Sequence, residues 1–401
     1  MEYTIDRYPE TINLELTLKC NLKCKMCQRS AEGFTLPELT DMPMKTVENV
    51  IPVMRDAKVV WLSGFGEPLM HPELVEIVSK IHEKNQQAVI AFTTNLVLMT
   101  PDKIEALIRA GLSRIQVSVD GENEMGHAFS PTPEGVARYQ KLLWKRLEEL
   151  HAAKKTLQVR NPELQFCFVA MKRNIAQLQG IIEQGLAVGL SSIVVQPLRD
   201  HDGTMTSEDL YANKEYALPL LTEAKRFAEQ HGVEFICRFM DEKMSFTRDR
   251  CHFPWNFFHV AVDGQVFMCC EGISAEMNVN TTPAVEIWNS EIYRKLRKEL
   301  ATGALRKKCW DCPLVTPTTK DWAVLSRGLQ EMSKEALIEE LGVYRKYVSA
   351  VHEREDELTR KLSQHEHNHM PQAAAIESGK PLPDGGGRRL ERLKNRLFSK
   401  K

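Results

Sequence analysis

The chain has 401 residues, 43% of them hydrophobic, which suits one large domain plus a smaller one. Lysine and arginine (53) almost balance aspartate and glutamate (54), so the net charge of −1 does not indicate a general nucleic-acid surface. The charge is uneven, however. Residues 385–401 carry seven basic side chains and one acid, or +6, which leaves −7 for the rest of the chain.

The N-terminal residues show no basic region followed by an apolar run, and no window approaches the roughly 20 apolar residues of a membrane span. The chain contains ten cysteines. In a chain without an export signal, cysteines are expected to be metal ligands rather than disulfides, because the cytosol keeps thiols reduced. We therefore expect a cytoplasmic protein with no membrane span.

The first cysteine motif is Cys20, Cys24 and Cys27, which follows an apolar run over residues 12–17 that we interpret as a strand. Three thiolates at this spacing can hold three irons of a 4Fe-4S cluster, and the fourth iron is then left without a protein ligand. A short loop at the end of a rigid strand would fix the position of such a cluster.

This C-x3-C-x2-C motif resembles the signature of the radical S-adenosylmethionine (SAM) superfamily. The resemblance implies that the open iron is chelated by the amino and carboxylate groups of SAM, and that reduction releases a 5'-deoxyadenosyl radical. Met26 stands where the family usually has an aromatic residue, but the three ligand positions are intact.

Beyond this motif, the chain alternates predicted strands with helices. The predicted helices cover residues 44–54, 73–84, 101–110, 136–153, 175–188 and 214–231, and the strands cover 12–17, 58–63, 88–95, 114–121, 164–170, 192–197 and 234–237. This pattern is typical of a parallel sheet with helices outside. Roughly six such units predict an α/β fold, a partial parallel (β/α)6 barrel, whose ligand site lies at the carboxyl ends of the strands.

Polar residues stand at those strand ends. The second strand ends in Gly64-Phe65-Gly66-Glu67-Pro68, where glycines allow a ligand to approach the backbone closely. The resemblance implies that Gly64, Gly66, Glu67 and Pro68 contact the methionine part of SAM, although Phe65 replaces a glycine of the commonest form of the motif.

The later strand ends supply further candidates. Similar proteins place polar residues of this kind against the ribose and carboxylate of SAM, and the candidates here are Thr94, Asn95, Ser118 and Asp120. Residues after later strands are expected to line the same cavity: Asn174, Gln196, Arg199, Asp200 and His201. His201 could be a base or a substrate ligand, or only a solvated loop residue.

A second group of cysteines consists of Cys251, Cys269, Cys270, Cys309 and Cys312. Residues 259–268 predict a β-hairpin around Asp263-Gly264, and a helix over residues 285–300 precedes the last two cysteines. Four thiolates close a metal site completely, and their spacing fits a 4Fe-4S cluster or a structural zinc equally well.

The second group, together with Ile287-Trp288-Asn289-Ser290, Tyr293 and Arg297, resembles the SPASM extension in its shorter "twitch" form. The resemblance implies one auxiliary 4Fe-4S cluster, with Cys251, Cys269, Cys309 and Cys312 as ligands and two clusters in all. The arrangement is similar to that of 2-deoxy-scyllo-inosamine dehydrogenase, which oxidises an aminocyclitol alcohol.

These patterns predict four regions: a radical SAM partial barrel over 1–235, a small cysteine-rich twitch/SPASM-like domain with a β-hairpin and helix over 236–325, a C-terminal helix over 326–364, and a disordered basic tail over 365–401. His365, His367 and His369 could bind a metal but are more simply a solvated polar tract.

We interpret the chain as an enzyme that abstracts a hydrogen atom from a small sugar or aminocyclitol, with electrons from a reductase such as flavodoxin or ferredoxin. The resemblance to a one-cluster enzyme and the roughly ten residues before the first strand, too few for a peptide-recognition domain, both favour this substrate class. A peptide-modifying enzyme of the same superfamily is the alternative. From another class, a non-catalytic iron-sulfur or zinc scaffold is possible, but a scaffold has no need of an open iron.

Dehydrogenation and epimerisation both remain open as the net reaction. Dehydrogenation is favoured because the cluster resemblance is more specific than any single cysteine. Epimerisation would need a hydrogen-donating thiol, and Cys270, Cys167 and Cys237 are spare. Of these, Cys270 is adjacent to a predicted ligand, whereas the other two lie in apolar strands.

Overall fold

The computed structural model describes residues 3–36, 38, 40–121, 124–237, 239–240, 251–302, 306–310 and 312. The predicted helix over 326–364 and the predicted tail over 365–401 lie outside the described residues. Within the described part of the chain, no helix has the length and apolar character needed to cross a membrane.

Ten strands form one sheet: β1 (Thr11–Leu14), β2 (Val59–Trp61), β3 (Val89–Thr94), β4 (Arg114–Ser118), β5 (Glu163–Ala170), β6 (Leu190–Pro197), β7 (Glu234–Cys237), β8 (Phe257–Val260), β9 (Gln265–Phe267) and β10 (Ser274–Asn278). Their order across the sheet is β10-β9-β8-β1-β2-β3-β4-β5-β6-β7. Strands β1 to β7 pair in parallel with their sequence neighbours, which confirms the predicted α/β fold with a parallel sheet.

The α-helices are α1 (Met44–Val50), α2 (Leu74–Lys84), α3 (Pro101–Arg109), α4 (Glu124–Phe129), α5 (Pro133–Thr156), α6 (Leu178–Ala187), α7 (Lys214–Gln230), α8 (Phe253–Asn256), α9 (Ala284–Trp288), α10 (Glu291–Ala301) and α11 (Lys307–Trp310). Short 3-10 helices cover Gln28–Ser30, Ile51–Asp56, Pro68–Met70, Ile175–Gln177 and Thr206–Glu208.

The two faces of the sheet differ in character. On one face, alternate residues such as Ile12, Leu14 and Val60 are fully buried in the main hydrophobic core. On the opposite face of β3 to β6, a row of polar side chains is hydrogen-bonded from strand to strand, and each distance is 2.7 or 2.8 Å. The row consists of Thr93, Gln116, Gln165 and Ser192. Because neighbouring residues of a strand point to opposite faces, apolar packing and a polar interior occur on the same strands.

The predicted hairpin is confirmed as β8 and β9, which pair antiparallel around Gly264 (φ +90°). Strand β8 also pairs in parallel with β1, with Ile12 opposite Phe258. The hairpin therefore extends the barrel sheet, which the sequence pattern did not indicate. Strand β10 and helix α4 were not predicted either.

The helix predicted over residues 285–300 is two helices, α9 and α10, separated by Asn289 and Ser290. Ser290 is extended (φ −60°, ψ 164°) and forms the N-cap of α10. The side-chain oxygen of Asn289 accepts hydrogen bonds from the amide of Ile5 and from Arg297. These contacts with the N-terminal segment hold the chain out of helical geometry at this point.

Arg297 on α10 is fully buried and joins three segments of the chain. Its guanidinium donates to the carbonyls of Pro254, Trp288 and Tyr3 at 2.8–3.2 Å and to Asn289 at 2.8 Å. The guanidinium carbon also lies 4.6 Å from the centre of the Trp288 ring. Burial lowers the pKa of Arg297 to about 10, so the group stays charged at neutral pH.

We expect Arg297→Lys to lower the free energy of unfolding by about 2–4 kcal/mol, because a lysine ammonium cannot reproduce a buried planar fork of donors. Anaerobic urea unfolding measures this change. The control is Arg109→Lys, which alters the exposed ion pair with Glu105 on α3 and should cost less than about 0.5 kcal/mol. Equal small effects for the two variants would contradict the central role of Arg297.

Candidate active site and auxiliary cluster site

Cys20, Cys24 and Cys27 all lie on the loop after β1. The amide of Cys27 donates to the carbonyl of Cys24 at 3.1 Å, which turns the chain between these two cysteines. Burial raises the pKa of Cys20 and raises that of Cys24 to about 12, and neighbouring thiols add to both shifts. At Cys24, the nearby Asp120 carboxylate also raises the pKa of the thiol. A positively charged metal centre would offset this accumulation of acidic groups, so the donor set fits an iron-sulfur cluster.

Two contacts hold this loop in place. The Lys19 ammonium donates to Asp41 at 2.6 Å, and the hydroxyl of Thr17 donates to the other oxygen of Asp41 at 2.6 Å. On another side, Met26 packs against a small apolar cluster of three residues that are themselves buried. We name this the methionine cluster; it consists of Met171, Leu198 and Met205. Met26 therefore fills an irregular apolar gap, a role for which methionine is suited.

The Gly64–Pro68 loop lies directly against the first cysteine loop. A Cβ atom on Gly66 would overlap the carbonyl oxygen of Thr17 and lie 2.6 Å from that of Lys19. A Cβ atom on Gly64 would overlap the side chain of Glu15. The amide of Glu67 donates to the carbonyl of Lys19 at 2.8 Å. Only glycine permits this close approach at both positions.

Glu67 connects this loop to the end of β3. Its carboxylate accepts hydrogen bonds from the hydroxyl of Thr94 at 2.7 Å, from the amide of Asn95 at 2.8 Å and from the amide of Leu69 at 3.1 Å. The side chain is almost fully buried, and burial is the largest effect on its pKa, which is raised. Pro68 begins the 3-10 helix that follows. The structure thus brings Gly64, Gly66, Glu67, Pro68, Thr94 and Asn95 together.

Asn95 extends the network to the first cysteine loop, because its amide nitrogen donates to the side-chain oxygen of Asn21 at 2.9 Å. Asp120, after β4, accepts a 2.6 Å hydrogen bond from the amide of Val169 and lies close enough to Cys24 to raise the pKa of that thiol. Ser118 is half-buried at the end of β4, opposite Cys167 on β5. All of these residues follow the carboxyl ends of neighbouring strands.

The later candidates differ in what they contact. Asn174 is buried, and its amide donates to the carbonyls of Asp120 and Val169, so it supports the backbone. Gln196 and His201 are exposed. Asp200 accepts hydrogen bonds within its own loop, from Gly203, Met205 and Thr206. Arg199 forms a 2.9 Å ion pair with Glu271, which lies beside the second cysteine group.

The second cysteine group surrounds one cavity. Its lining is Cys251, Phe253, Pro254, Cys269, Cys270, Glu271, Ile273, Leu296, Leu300, Lys308, Cys309 and Cys312. Helices α8, α10 and α11 and the turn after β9 supply most of these residues, Cys251 precedes α8, and Cys312 follows α11. Burial raises the pKa of Cys309 to about 12, with the neighbouring Cys269 as the next cause. Several thiols around an apolar cavity fit the cluster expected here.

The structure distinguishes Cys269 from Cys270. Cys269 is buried, and its sulfur accepts a hydrogen bond from the amide of Ile273 at 3.4 Å. Cys270 as a whole residue is exposed, but it also lines the cavity. Burial of its thiol, followed by the charge of Glu271, raises the pKa of Cys270 to about 12. Both cysteines remain available to the site, and the assignment of Cys269 as the ligand stays a prediction.

One residue that contacts the Gly64–Pro68 loop was missed from the sequence. Glu15 is buried in the barrel, and its carboxylate accepts a 2.8 Å hydrogen bond from the amide of Phe65. Burial raises its pKa. The alternation of Asn13 and Glu15 with Ile12, Leu14 and Leu16 was a local signal that these polar side chains point into the barrel.

Family models match the two parts of the chain that carry the cysteine groups. Residues 14–153 match the Radical SAM superfamily, and residues 251–313 match SPASM, an iron-sulfur cluster-binding domain. The chain thus contains a region similar to radical SAM domains, followed by a region similar to SPASM domains. The first match begins in β1 and includes the first cysteine motif, and the second spans Cys251 to Cys312.

Individual relatives extend over most of the chain. This chain is 27% identical to the AdoMet-dependent heme synthase of Methanosarcina barkeri over 337 residues, which cover 76% of this chain and 88% of that protein. It is 26% identical to the PqqA peptide cyclase of Bradyrhizobium diazoefficiens over 318 residues, covering 76% and 78%. Streptococcus suis SuiB bound to S-adenosylmethionine has a similar fold, with a TM-score of 0.56, 14% identity, and coverage of 77% and 71%.

We expect Gly66→Ala to reduce SAM cleavage about 100-fold or more, because the added methyl group displaces the loop from the first cysteine loop, and a displacement of about 1 Å can have that effect. Release of 5'-deoxyadenosine from reconstituted protein measures the loss. Gly180→Ala is the matched control, since nothing lies within 4 Å of a Cβ atom there and its site is exposed on α6. If the two variants cleaved SAM equally well, the close packing at Gly66 would have no functional importance.

Proposed function

We propose that this radical SAM protein is an enzyme that cleaves SAM reductively and abstracts a hydrogen atom from a carbon of its substrate. The observation that carries the proposal is the contact between the first cysteine loop and the Glu67 network. The amide of Glu67 is bonded to the carbonyl of Lys19, one residue before Cys20, and Asn95 is bonded to Asn21, one residue after it. A ligand of the open iron would therefore meet the Gly64–Pro68 loop.

The ligands of the two clusters follow from the two cysteine groups. Cys20, Cys24 and Cys27 would hold the first 4Fe-4S cluster, and Cys251, Cys269, Cys309 and Cys312 the auxiliary one. When bound, the clusters supply one-electron chemistry: reductive cleavage of the SAM sulfonium at the open iron, and storage of one electron at the auxiliary site.

The protein's own contribution is to bind and orient. The residues proposed to contact SAM are Gly64, Gly66, Glu67, Pro68, Thr94, Asn95, Ser118 and Asp120. They lie at the carboxyl ends of three neighbouring strands, β2, β3 and β4, where a rigid sheet fixes their spacing. Holding the substrate carbon near the 5' carbon of SAM, in a site without bulk water, favours hydrogen transfer over side reactions.

We propose a sugar or aminocyclitol as the substrate and dehydrogenation as the net reaction, with epimerisation as the competing outcome. The support is the single group of five cysteines in the described part of residues 251–312, which suits one auxiliary cluster. A reductase such as flavodoxin or ferredoxin would supply the electron for SAM cleavage.

Peptide modification is the second candidate. It is favoured by the 26% identity to a PqqA peptide cyclase over three quarters of this chain. The two candidates are distinguished by incubating the reconstituted enzyme with SAM and either a panel of aminocyclitols or peptides encoded near its gene. Stimulation of 5'-deoxyadenosine release above the substrate-free rate identifies the class.

Reconstituted protein should contain about eight irons and eight sulfides per chain. Replacing Cys20, Cys24 and Cys27 together by alanine should halve this content and abolish release of 5'-deoxyadenosine. Cys237→Ala is the control, because this buried thiol on β7 is not a proposed ligand and its replacement should leave the iron content unchanged. One zinc and only four irons per chain would refute the auxiliary cluster.

Turnover in deuterium oxide separates the two net reactions. Dehydrogenation yields a product lighter by two hydrogens, and Cys270→Ala remains active. Epimerisation yields a product with one solvent deuteron at a non-exchangeable carbon and a mass otherwise equal to that of the substrate. Because Cys270 is exposed beside the auxiliary site, loss of this deuteron in Cys270→Ala would assign it as the hydrogen donor. We expect the lighter product.

A further inference from the structure

The loop after β6, residues 198–206, contacts segments next to both cysteine groups. Asp202 accepts a 2.9 Å hydrogen bond from the amide of Glu32, five residues after Cys27. At the other end of the loop, Arg199 donates to Glu271 at 2.9 Å, and Glu271 directly follows Cys270. One loop of the barrel thus touches the chain near both proposed clusters.

This loop is held firmly. The carboxylate of Asp200 accepts hydrogen bonds from the amides of Gly203 and Met205 and from the hydroxyl of Thr206, at 2.9–3.2 Å. Leu198 and Met205 belong to the methionine cluster. The position of Arg199 is therefore set by the fold of the barrel loop as well as by its partner Glu271.

Both members of the ion pair lie at the auxiliary site. Glu271 lines the cavity with the five cysteines. The Arg199 guanidinium is close enough to Cys270 and Cys312 for their thiols to affect its pKa, which is raised mainly by the hydrogen bond to Glu271. Side-chain exposure is 59% for Arg199 and 22% for Glu271, so solvent screens the pair in part.

We propose that the Arg199–Glu271 ion pair tunes the reduction potential of the auxiliary cluster, with Arg199 raising it and Glu271 lowering it. This inference rests on the proposed function, because it requires that cluster. The physical reason is that a nearby positive charge stabilises the added electron and a nearby negative charge opposes it. Arg199 and Glu271 thus act on the cluster through their charges and are not proposed as its ligands.

The test is a redox titration of the reconstituted full-length protein, followed by EPR. SAM would bind only the first cluster, so the EPR signal that does not change when SAM is added belongs to the auxiliary cluster. We expect Arg199→Gln to shift the potential downward and Glu271→Gln to shift it upward. The double variant should return close to the wild-type value. Ionic strength of about 1 M, where the Debye length is about 3 Å, should reduce both shifts.

The matched control is the ion pair of Arg114 with Glu163, 2.7 Å apart at the first residues of β4 and β5, because neither residue lines the cavity of the second cysteine group. Arg114→Gln and Glu163→Gln should leave the potential unchanged. If the Arg199–Glu271 pair only docks the loop, the two single variants will shift the potential in the same direction or not at all, and either result overturns the inference. A chain with only four irons would instead refute the auxiliary cluster on which this inference rests.

Discussion

Strand β1 is the element on which both cysteine groups depend. Its carboxyl end leads into the loop of Cys20, Cys24 and Cys27, and its two edges pair with β2 and β8. Ile12 lies opposite Val60 on one side and Phe258 on the other. A slip of one residue would turn the apolar face of β1 into the barrel, so burial fixes its register strongly. That register places the first cysteine loop against the Gly64–Pro68 loop and holds the hairpin that ends at Cys269.

Two buried carboxylates, Glu15 and Glu67, secure the Gly64–Pro68 loop after β2. Glu15 binds the amide of Phe65, and Glu67 binds the amide of Asn95 and the hydroxyl of Thr94. Burying a carboxylate costs free energy, but hydrogen bonds from the backbone offset this cost for both groups. Burial raises the pKa of Glu15, and the backbone groups of Phe65 and of Val262 in the hairpin turn oppose that shift. The Gly64–Pro68 loop, which we propose contacts SAM, is therefore held by polar contacts with the residues that follow β1 and β3.

Most of the barrel could be predicted because its signals are local. Alternating strands and helices, and polar residues such as Thr94 and Asp120 at strand ends, are visible in short windows of sequence. The pairing of β8 with β1 and the ion pair of Arg199 with Glu271 join residues far apart in the chain, so no local pattern reports them. The break between helices α9 and α10 had a local signal in Asn289-Ser290. Its cause, however, is a contact of Asn289 with Ile5, which lies 284 residues earlier in the chain.

Met26, which stands where the radical SAM motif usually has an aromatic residue, packs against the loop after β6. A stiff aromatic ring needs a gap of fixed shape, whereas a thioether with three rotatable bonds adapts to the irregular space left by Met171, Leu198 and Met205. Because Leu198 precedes Arg199 and Met205 follows Asp202, the residues that receive Met26 also fix the loop that reaches Glu32 and Glu271. A change at position 26 would thus act on the first cysteine loop and, through the methionine cluster, on the charge beside the auxiliary site.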